Sequence, residues 1–105
     1  MAKFLFQITY TEEGLQEVLK EGGYKQKEIF ETAIRSLNGW LEVMYFSFGE
    51  VDVFVVTELP DNVSAAAFSM IASSAGAARV KTTVLISPEE IEKATKKTIP
   101  YRPLG

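Results

Sequence analysis

The chain has 105 residues and a net charge of −3, with 47% hydrophobic and 24% charged residues, which is typical of a single globular domain. It contains no histidine and no cysteine, so disulfides, thiolate or imidazole chemistry and the usual nitrogen and sulfur metal ligands are excluded. We expect no metal and no cofactor. Lysine and arginine are not clustered, so we also expect no nucleic-acid partner.

The location predicted from these features is the cytoplasm. The start of the chain has one lysine and only a short apolar run, which is a poor match to a signal peptide. The longest uncharged stretch, residues 62–78, contains four serines and is shorter than the roughly 20 apolar residues of a membrane span. We therefore expect no membrane partner and interpret this stretch as a buried helix.

The first part of the chain predicts one strand and two helical segments. Alternating apolar residues indicate a strand over residues 4–10. Thr11 offers an N-cap oxygen to a first helix, which the Gly22-Gly23 pair interrupts. A second helix over residues 24–37 ends at Asn38-Gly39, where a left-handed cap is expected. The apolar stripes at helical spacing are Leu15, Val18 and Leu19 in the first helix and Ile29, Phe30, Ala33, Ile34 and Leu37 in the second.

The middle of the chain predicts a β-hairpin. Residues 40–48 and 51–58 are rich in aromatic and β-branched side chains, which favour strands. Gly49-Glu50 between them is typical of a two-residue type II′ turn, in which Gly49 adopts a positive φ. Such a turn places Tyr45 opposite Phe54 and Ser47 opposite Asp52.

The last part of the chain predicts a helix, a strand and a second helix. Asp61 is the expected N-cap of the first helix, which Gly76 ends, and a strand over residues 80–86 follows. Ser87 and Glu90 match a capping box for a final helix that reaches about residue 97, before a tail over residues 98–105. The expected inward stripe of the first of these helices is Val63, Ala66, Ala67, Met70 and Ile71.

This order predicts an α+β fold for a single domain over residues 1–105. The elements run β-α-β-β-α-β with an additional C-terminal helix, which is the ferredoxin-like arrangement. A four-stranded antiparallel sheet then carries its helices on one face only. The hairpin residues expected to meet the helices are Met44, Phe46, Phe48, Val51, Val53 and Val55.

The opposite face of the sheet has no helices left to cover it. The apolar residues expected there are Leu5, Leu41, Val43, Phe54, Val56 and Leu85, a larger patch than monomers usually expose. We therefore predict a homodimer or higher homo-oligomer that forms through sheet faces, with Leu5, Val43, Phe54 and Val56 in the interface. A bulge in either strand would exchange the faces of one strand relative to the other.

The same face carries the candidate catalytic residues. Asp52 beside Ser47 and Tyr45 is the candidate catalytic group, because a shielded carboxylate with hydroxyl partners can have a shifted pKa. The candidate ligand-binding residues are Trp40, Tyr45 and Lys81. The alternative is structural: Asp52 braces the hairpin, and the aromatic side chains belong to the core or an interface.

Several stretches of the sequence resemble the GYD domain family. The run YFSFGEVDV looks like the family signature, with Gly49 and Asp52 in place and Val51 where the family has tyrosine. The stretches FLFQITYTEEGLQEV, ELPDN and AARVKTTVLIS are also similar, so the resemblance covers roughly residues 2–97. It implies a ferredoxin-like fold of the dimeric α/β-barrel type, with two sheets face to face, and no settled biochemical function.

Two functions are compatible with these features. The first is a non-enzymatic dimeric domain that binds a small molecule or serves as an assembly module. The second is a cofactor-independent enzyme, monooxygenase-like or isomerase-like, that acts on a small apolar substrate with Asp52 as base and Tyr45 as donor. The enzyme hypothesis predicts a cavity of at least about 300 Å³ in contact with those two residues.

Overall fold

The structure is a computed structural model, and it describes residues 1–103. Its elements are β1 (Ala2–Tyr10), α1 (Glu12–Glu21), α2 (Gly23–Ser36), β2 (Trp40–Phe46), β3 (Val53–Leu59), α3 (Asn62–Ser74), β4 (Ala78–Leu85) and α4 (Pro88–Thr95). This is the element order expected from the sequence. Gly22, with a φ of 88°, separates α1 from α2 in a backbone conformation that suits glycine.

The four strands form one antiparallel sheet in the order β2-β3-β1-β4. This order agrees with a ferredoxin-like fold and confirms the predicted α+β class. Alternate residues of the central strands point to opposite faces of the sheet. On one face Phe6, Ile8 and Val55 are fully buried, and this face carries the core beneath the helices.

Aromatic rings link the sheet to the helices. The rings of Phe6 in β1 and Phe68 in α3 lie 4.6 Å apart between centroids. Phe68 also meets Phe30 of α2 edge-on, with centroids 6.3 Å apart. Because both helices contact the sheet through the same cluster, the core is continuous across the layer.

The hairpin between β2 and β3 has the predicted register but a different turn. Tyr45 pairs with Phe54, and the N–H of Ser47 donates to the carbonyl of Asp52 at 2.8 Å. The type II′ turn is wrong, because Phe48 rather than Gly49 has the positive φ, at 55°. The strands therefore end at Phe46 and Val53, and Phe48 stacks on Phe46 with centroids 5.7 Å apart instead of entering the core. Phe48 is 55% exposed, which corrects its expected place under the helices.

A β-bulge in β2 changes the face of one further residue. The register shifts between Leu41 and Val43, so that Leu41 pairs with the buried Thr57 and packs against the core. The expected place of Leu41 on the uncovered face is therefore wrong. The extra residue in the bulge, Glu42, reverses the alternation for the beginning of the strand.

The predicted helix starts are confirmed by their hydrogen bonds. The hydroxyl of Thr11 accepts from Gly14 N–H at 3.2 Å, and the carboxylate of Asp61 accepts from Ser64 N–H at 2.8 Å. Ser87 and Glu90 form the reciprocal capping box at the start of α4. Asn38, with a φ of 64°, adopts the expected left-handed conformation after α2. These contacts are local in sequence, which is why the residue types alone predict them.

The inward stripes of two helices differ from expectation. In α1, Leu15 and Leu19 are exposed, and the buried residue is Gly14. In α3, Ala65 and Phe68 face the core, and the residues expected inside are exposed, namely Val63, Ala66, Met70 and Ile71. The apolar side chains of α3 occur on more than one side of the helix, so their spacing does not define a single inward face. The large ring of Phe68 takes the inward position.

The C-terminal helix stands apart from the core. None of the residues of α4 is buried, and Ile99 and Tyr101 beyond it are also exposed. The radius of gyration is 16.6 Å, whereas a compact domain of this length has about 13 Å. Within residues 1–103, this part of the chain therefore leaves apolar side chains largely exposed. None of the helices within residues 1–103 has the length and apolarity needed to cross a membrane.

Candidate functional site

The candidate site lies on the sheet face that points away from the helices, which we call the outer face. The strand register arranges its side chains in three rows across β2, β3, β1 and β4. These rows are Trp40-Glu58-Lys3-Leu85, Val43-Val56-Leu5-Thr83 and Tyr45-Phe54-Gln7-Lys81. No helix within residues 1–103 covers these rows, and the central sheet residues are only partly buried by their neighbours.

The residues expected in a dimer interface form one continuous patch. Val43, Val56 and Leu5 follow one another across the second row, and Phe54 lies beside them in the third. Val43 is 40% exposed although it is a β-branched apolar residue in a strand. The patch occupies the middle of the outer face, with charged and polar rows at both ends.

The candidate ligand-binding residues are not brought together within one chain. Tyr45 and Lys81 share the third row but lie on the two edge strands. Three strand spacings of about 4.8 Å separate them by about 14 Å. Trp40 is in the first row, at the other end of β2, and is 51% exposed. A small molecule on a single outer face therefore does not reach all three.

Asp52 is engaged in the structural role. One of its carboxylate oxygens, Oδ2, accepts the backbone N–H of Tyr10 at 2.8 Å. Its own N–H donates to the carbonyl of Ile8 at 2.9 Å. These bonds join the hairpin loop to the end of β1. Ser47 meets Asp52 through the backbone, and the side chain of Tyr45 is 71% exposed.

A polar pair that the sequence does not single out lies under the sheet. The hydroxyl of Tyr10 donates to Oε1 of Gln26 at 2.9 Å, and Gln26 is only 7% exposed. Burial, together with the negative charge of Asp52, raises the pKa of Tyr10 to about 12. The hydroxyl thus stays protonated at neutral pH. Gln26 lies in a polar stretch of sequence, and no local pattern marks it as an inward residue.

A charge cluster at one end of the outer face also escapes sequence reasoning. The ammonium of Lys3 lies 3.0 Å from a carboxylate oxygen of Glu42 and 3.6 Å from one of Glu58. The hydrogen bond to Glu42 is the main reason that the pKa of Lys3 is raised. Glu42 reaches Lys3 because the bulge in β2 displaces it, and sequence alone does not locate that bulge.

Four concave regions lie on the described part of the chain, and Asp52, Tyr45 and Ser47 line none of these four. One of them, of about 550 Å³, borders the first row of the outer face at Lys3, Glu58 and Leu85. Within residues 1–103 there is no group of three or more acidic side chains positioned to hold a metal ion. The outer face of a single chain therefore has an apolar centre and no concave region at the candidate catalytic residues.

The role of Asp52 leads to a stability prediction. Replacing it in Asp52→Ala leaves the partly buried Tyr10 N–H without its acceptor, and we expect a loss of about 1–2 kcal/mol in the free energy of unfolding. Asp52→Asn retains an acceptor oxygen and should cost less than about 1 kcal/mol. Urea denaturation followed by circular dichroism measures both changes.

The neighbouring Glu50 provides the control for this measurement. Its side chain is exposed in the same loop, so Glu50→Ala should change the stability by no more than about 0.5 kcal/mol. An Asp52→Ala variant that is as stable as the unmodified chain would contradict the bracing role of Asp52.

Comparison with known proteins gives one match. The family model of the GYD domain matches residues 4–95 of the 105-residue chain. Neither the curated proteins nor the solved structures contain a significant match. The match includes residues 4–10 of β1, strands β2 to β4, helices α1 to α4 and the hairpin loop with Gly49 and Asp52. The chain therefore belongs to the GYD domain family.

Proposed function

We propose that this GYD domain functions as a homodimeric assembly module whose two copies meet through their outer faces. The observation that carries the proposal is the uncovered apolar patch of Leu5, Val43, Phe54 and Val56. A two-fold related copy presents the same patch, so each side chain meets an apolar partner in a closed assembly.

The energetic balance supports association. If about 600 Å² of apolar surface is buried between the two faces, about 25 cal/mol per Å² contributes roughly 15 kcal/mol. Association costs about 4–15 kcal/mol in lost translational and rotational freedom. The ion pairs of Lys3 with Glu42 and Glu58 compensate charge at one end of the face, which lowers the cost of bringing two copies together.

The C-terminal helix supports the same assembly. Ile91 in α4 is 48% exposed, and Ile99 and Tyr101 are more than two-thirds exposed. A helix with an exposed apolar side is stabilised by packing on another surface. We propose that α4 extends the contact onto the second copy.

The engagement of Asp52 favours the assembly module over the enzyme. A cofactor-independent enzyme with Asp52 as base and Tyr45 as donor needs both side chains at a cavity that holds the substrate. Neither side chain lines any of the four concave regions described above, and Oδ2 of Asp52 accepts the N–H of Tyr10 in a bracing contact. Ligand binding by Trp40, Tyr45 or Lys81, and a place in the cytoplasm, stay predictions from the sequence.

Sedimentation equilibrium of charge variants tests the proposal. In Val56→Lys and Val43→Lys, the two-fold arrangement brings like charges together in an apolar interface. We expect dissociation to a monomer at micromolar concentration, where the unmodified chain sediments as a dimer. Val43 is already 40% exposed, so its replacement should leave the monomer folded by circular dichroism.

Leu19→Lys is the matched control. Leu19 is an apolar residue on the helix side of the molecule and is 81% exposed. The same change in charge and size should leave the dimer intact. A folded monomer from the unmodified chain at micromolar concentration, or equal effects of the three variants, would rule out the outer face as the interface.

A further inference from the structure

A second surface feature lies on the opposite side of the sheet, among the helices. A cavity of about 400 Å³ opens between α2 and α3 near the end of α1, and we call it the helix-side cavity. Its volume is within the range of small-molecule sites, about 300–1,000 Å³. The outer face takes no part in it, so any role of this cavity is separate from the proposed dimer.

The walls of the helix-side cavity are apolar. Phe30 and Ala33 line it from α2, and Phe68 and Ala72 line it from α3. Small alanine side chains on both helices leave the space between them open. Such walls favour an apolar ligand body through removal of its surface from water.

One end of the cavity is polar. Gln26 accepts the hydroxyl proton of Tyr10 through Oε1, and its amide N–H group makes no hydrogen bond to residues 1–103. Both side chains line the cavity, and Gln26 is 7% exposed. An amide N–H group in the cavity lining can donate a hydrogen bond, so this end suits a ligand that brings a neutral hydrogen-bond acceptor.

The mouth of the cavity is negatively charged. Glu17 and Glu21 lie four residues apart in α1, on the same side of the helix, and both line the cavity. The ion pairs found within residues 1–103 involve neither of them. Two carboxylates beside an apolar space favour a positively charged group on the ligand and disfavour an anionic one.

From these contacts we infer that the helix-side cavity binds a small molecule with an apolar body, a neutral hydrogen-bond acceptor and a positively charged amine. The body lies between Phe30 and Phe68, the acceptor meets the amide of Gln26, and the amine meets Glu17 and Glu21. The inference goes beyond the assembly role and does not depend on it.

Three matched compounds test the ligand chemistry. Phenylalaninamide has all three features, phenylpropionamide lacks the amine, and phenylalanine replaces the amide by a carboxylate. Binding is followed by NMR titration of the full chain at about pH 6, below the ordinary pKa of about 7.7 of an α-amino group. We expect phenylalaninamide to bind about fivefold more tightly than either comparator, and the advantage over phenylpropionamide to shrink at high salt.

Charge variants identify the carboxylates. Glu17→Gln combined with Glu21→Gln should weaken phenylalaninamide about fivefold and leave phenylpropionamide unchanged. Glu12→Gln combined with Glu13→Gln is the matched control, because it removes the same charge from the same helix outside the cavity lining. Equal effects of the two double variants would overturn the assignment of the amine to the mouth.

Blocking variants identify the cavity itself. Ala33→Leu and Ala72→Leu each fill part of the space from a different helix, so one can be used if the other does not fold. Either folded variant should abolish binding of phenylalaninamide. The proposal is overturned by an absence of binding to the unmodified chain, by chemical shift changes confined to the outer face, or by a folded blocking variant that still binds phenylalaninamide.

Discussion

Phe68→Ala is expected to lower the free energy of unfolding by about 3–5 kcal/mol, the range for truncating a buried phenylalanine. Phe68 is 5% exposed, and its ring contacts both Phe6 of the sheet and Phe30 of α2. Truncation therefore removes the ring that packs between the sheet and the helices, and it leaves a void next to the helix-side cavity. Urea denaturation, with the slope of the transition unchanged, measures the loss.

Met70→Ala is the control for this effect. Met70 lies two residues further along α3 and is 70% exposed, so its truncation should change stability by no more than about 0.5 kcal/mol. The comparison also separates the two orientations of α3. If the inward stripe expected from the sequence were present, Met70→Ala would be the costly change and Phe68→Ala the mild one.

Gly14→Ala is expected to lower the free energy of unfolding by about 2–3 kcal/mol. A methyl group on Gly14 would lie well inside van der Waals contact of the carbonyl of Ala77. That carbonyl accepts the N–H of Thr11 at 3.0 Å, so moving it weakens a hydrogen bond as well as the packing. Overpacking costs about 1–3 kcal/mol and a lost hydrogen bond about 1 kcal/mol. The higher helix propensity of alanine offsets no more than about 1 kcal/mol of this loss of stability.

Gly23→Ala provides the opposite expectation in the next helix. A methyl group there would lie 3.5 Å from the ring of Phe46, an ordinary contact. Because this substitution changes only the helix propensity, we expect the free energy of unfolding to rise by between zero and about 1 kcal/mol. Thermal and urea unfolding measure the stability of both variants. A Gly14→Ala variant as stable as the unmodified chain would show that α1 does not pack closely against Ala77.

Local patterns account for the parts of the fold that sequence predicts well. The caps at Thr11, Asp61 and Ser87 depend on residues within one helical turn. The register of Tyr45 with Phe54 was predicted from a two-residue turn, and it holds although the turn itself differs. The alternation in β1 and β3 likewise predicts which side chains the helices cover, because both strands are central and one of their faces is buried.

The candidate site was less predictable. Sequence brings Asp52 close to Ser47 and Tyr45, but the partner of its carboxylate is a backbone group of β1, distant in sequence. Gln26 and Glu42 gave no local signal, because their contacts with Tyr10 and Lys3 require the assembled sheet and the bulge. Phe48 was also not predictable from sequence. Its ring stacks on Phe46, and its backbone has a positive φ, which phenylalanine seldom adopts.

By itself, then, the sequence determined the order of the elements, the helix starts, the hairpin register and the family of the chain, since all of these depend on neighbouring residues or on a repeated period. Only the tertiary structure decided which side of α1 and α3 faces inward, where the bulge in β2 falls and which groups Asp52, Gln26 and Lys3 contact. The physical reason is that burial and long-range hydrogen bonds depend on the surfaces that meet when helices pack on the sheet. Where apolar residues occur on several sides of a helix, their spacing in the sequence does not determine which of these surfaces is buried.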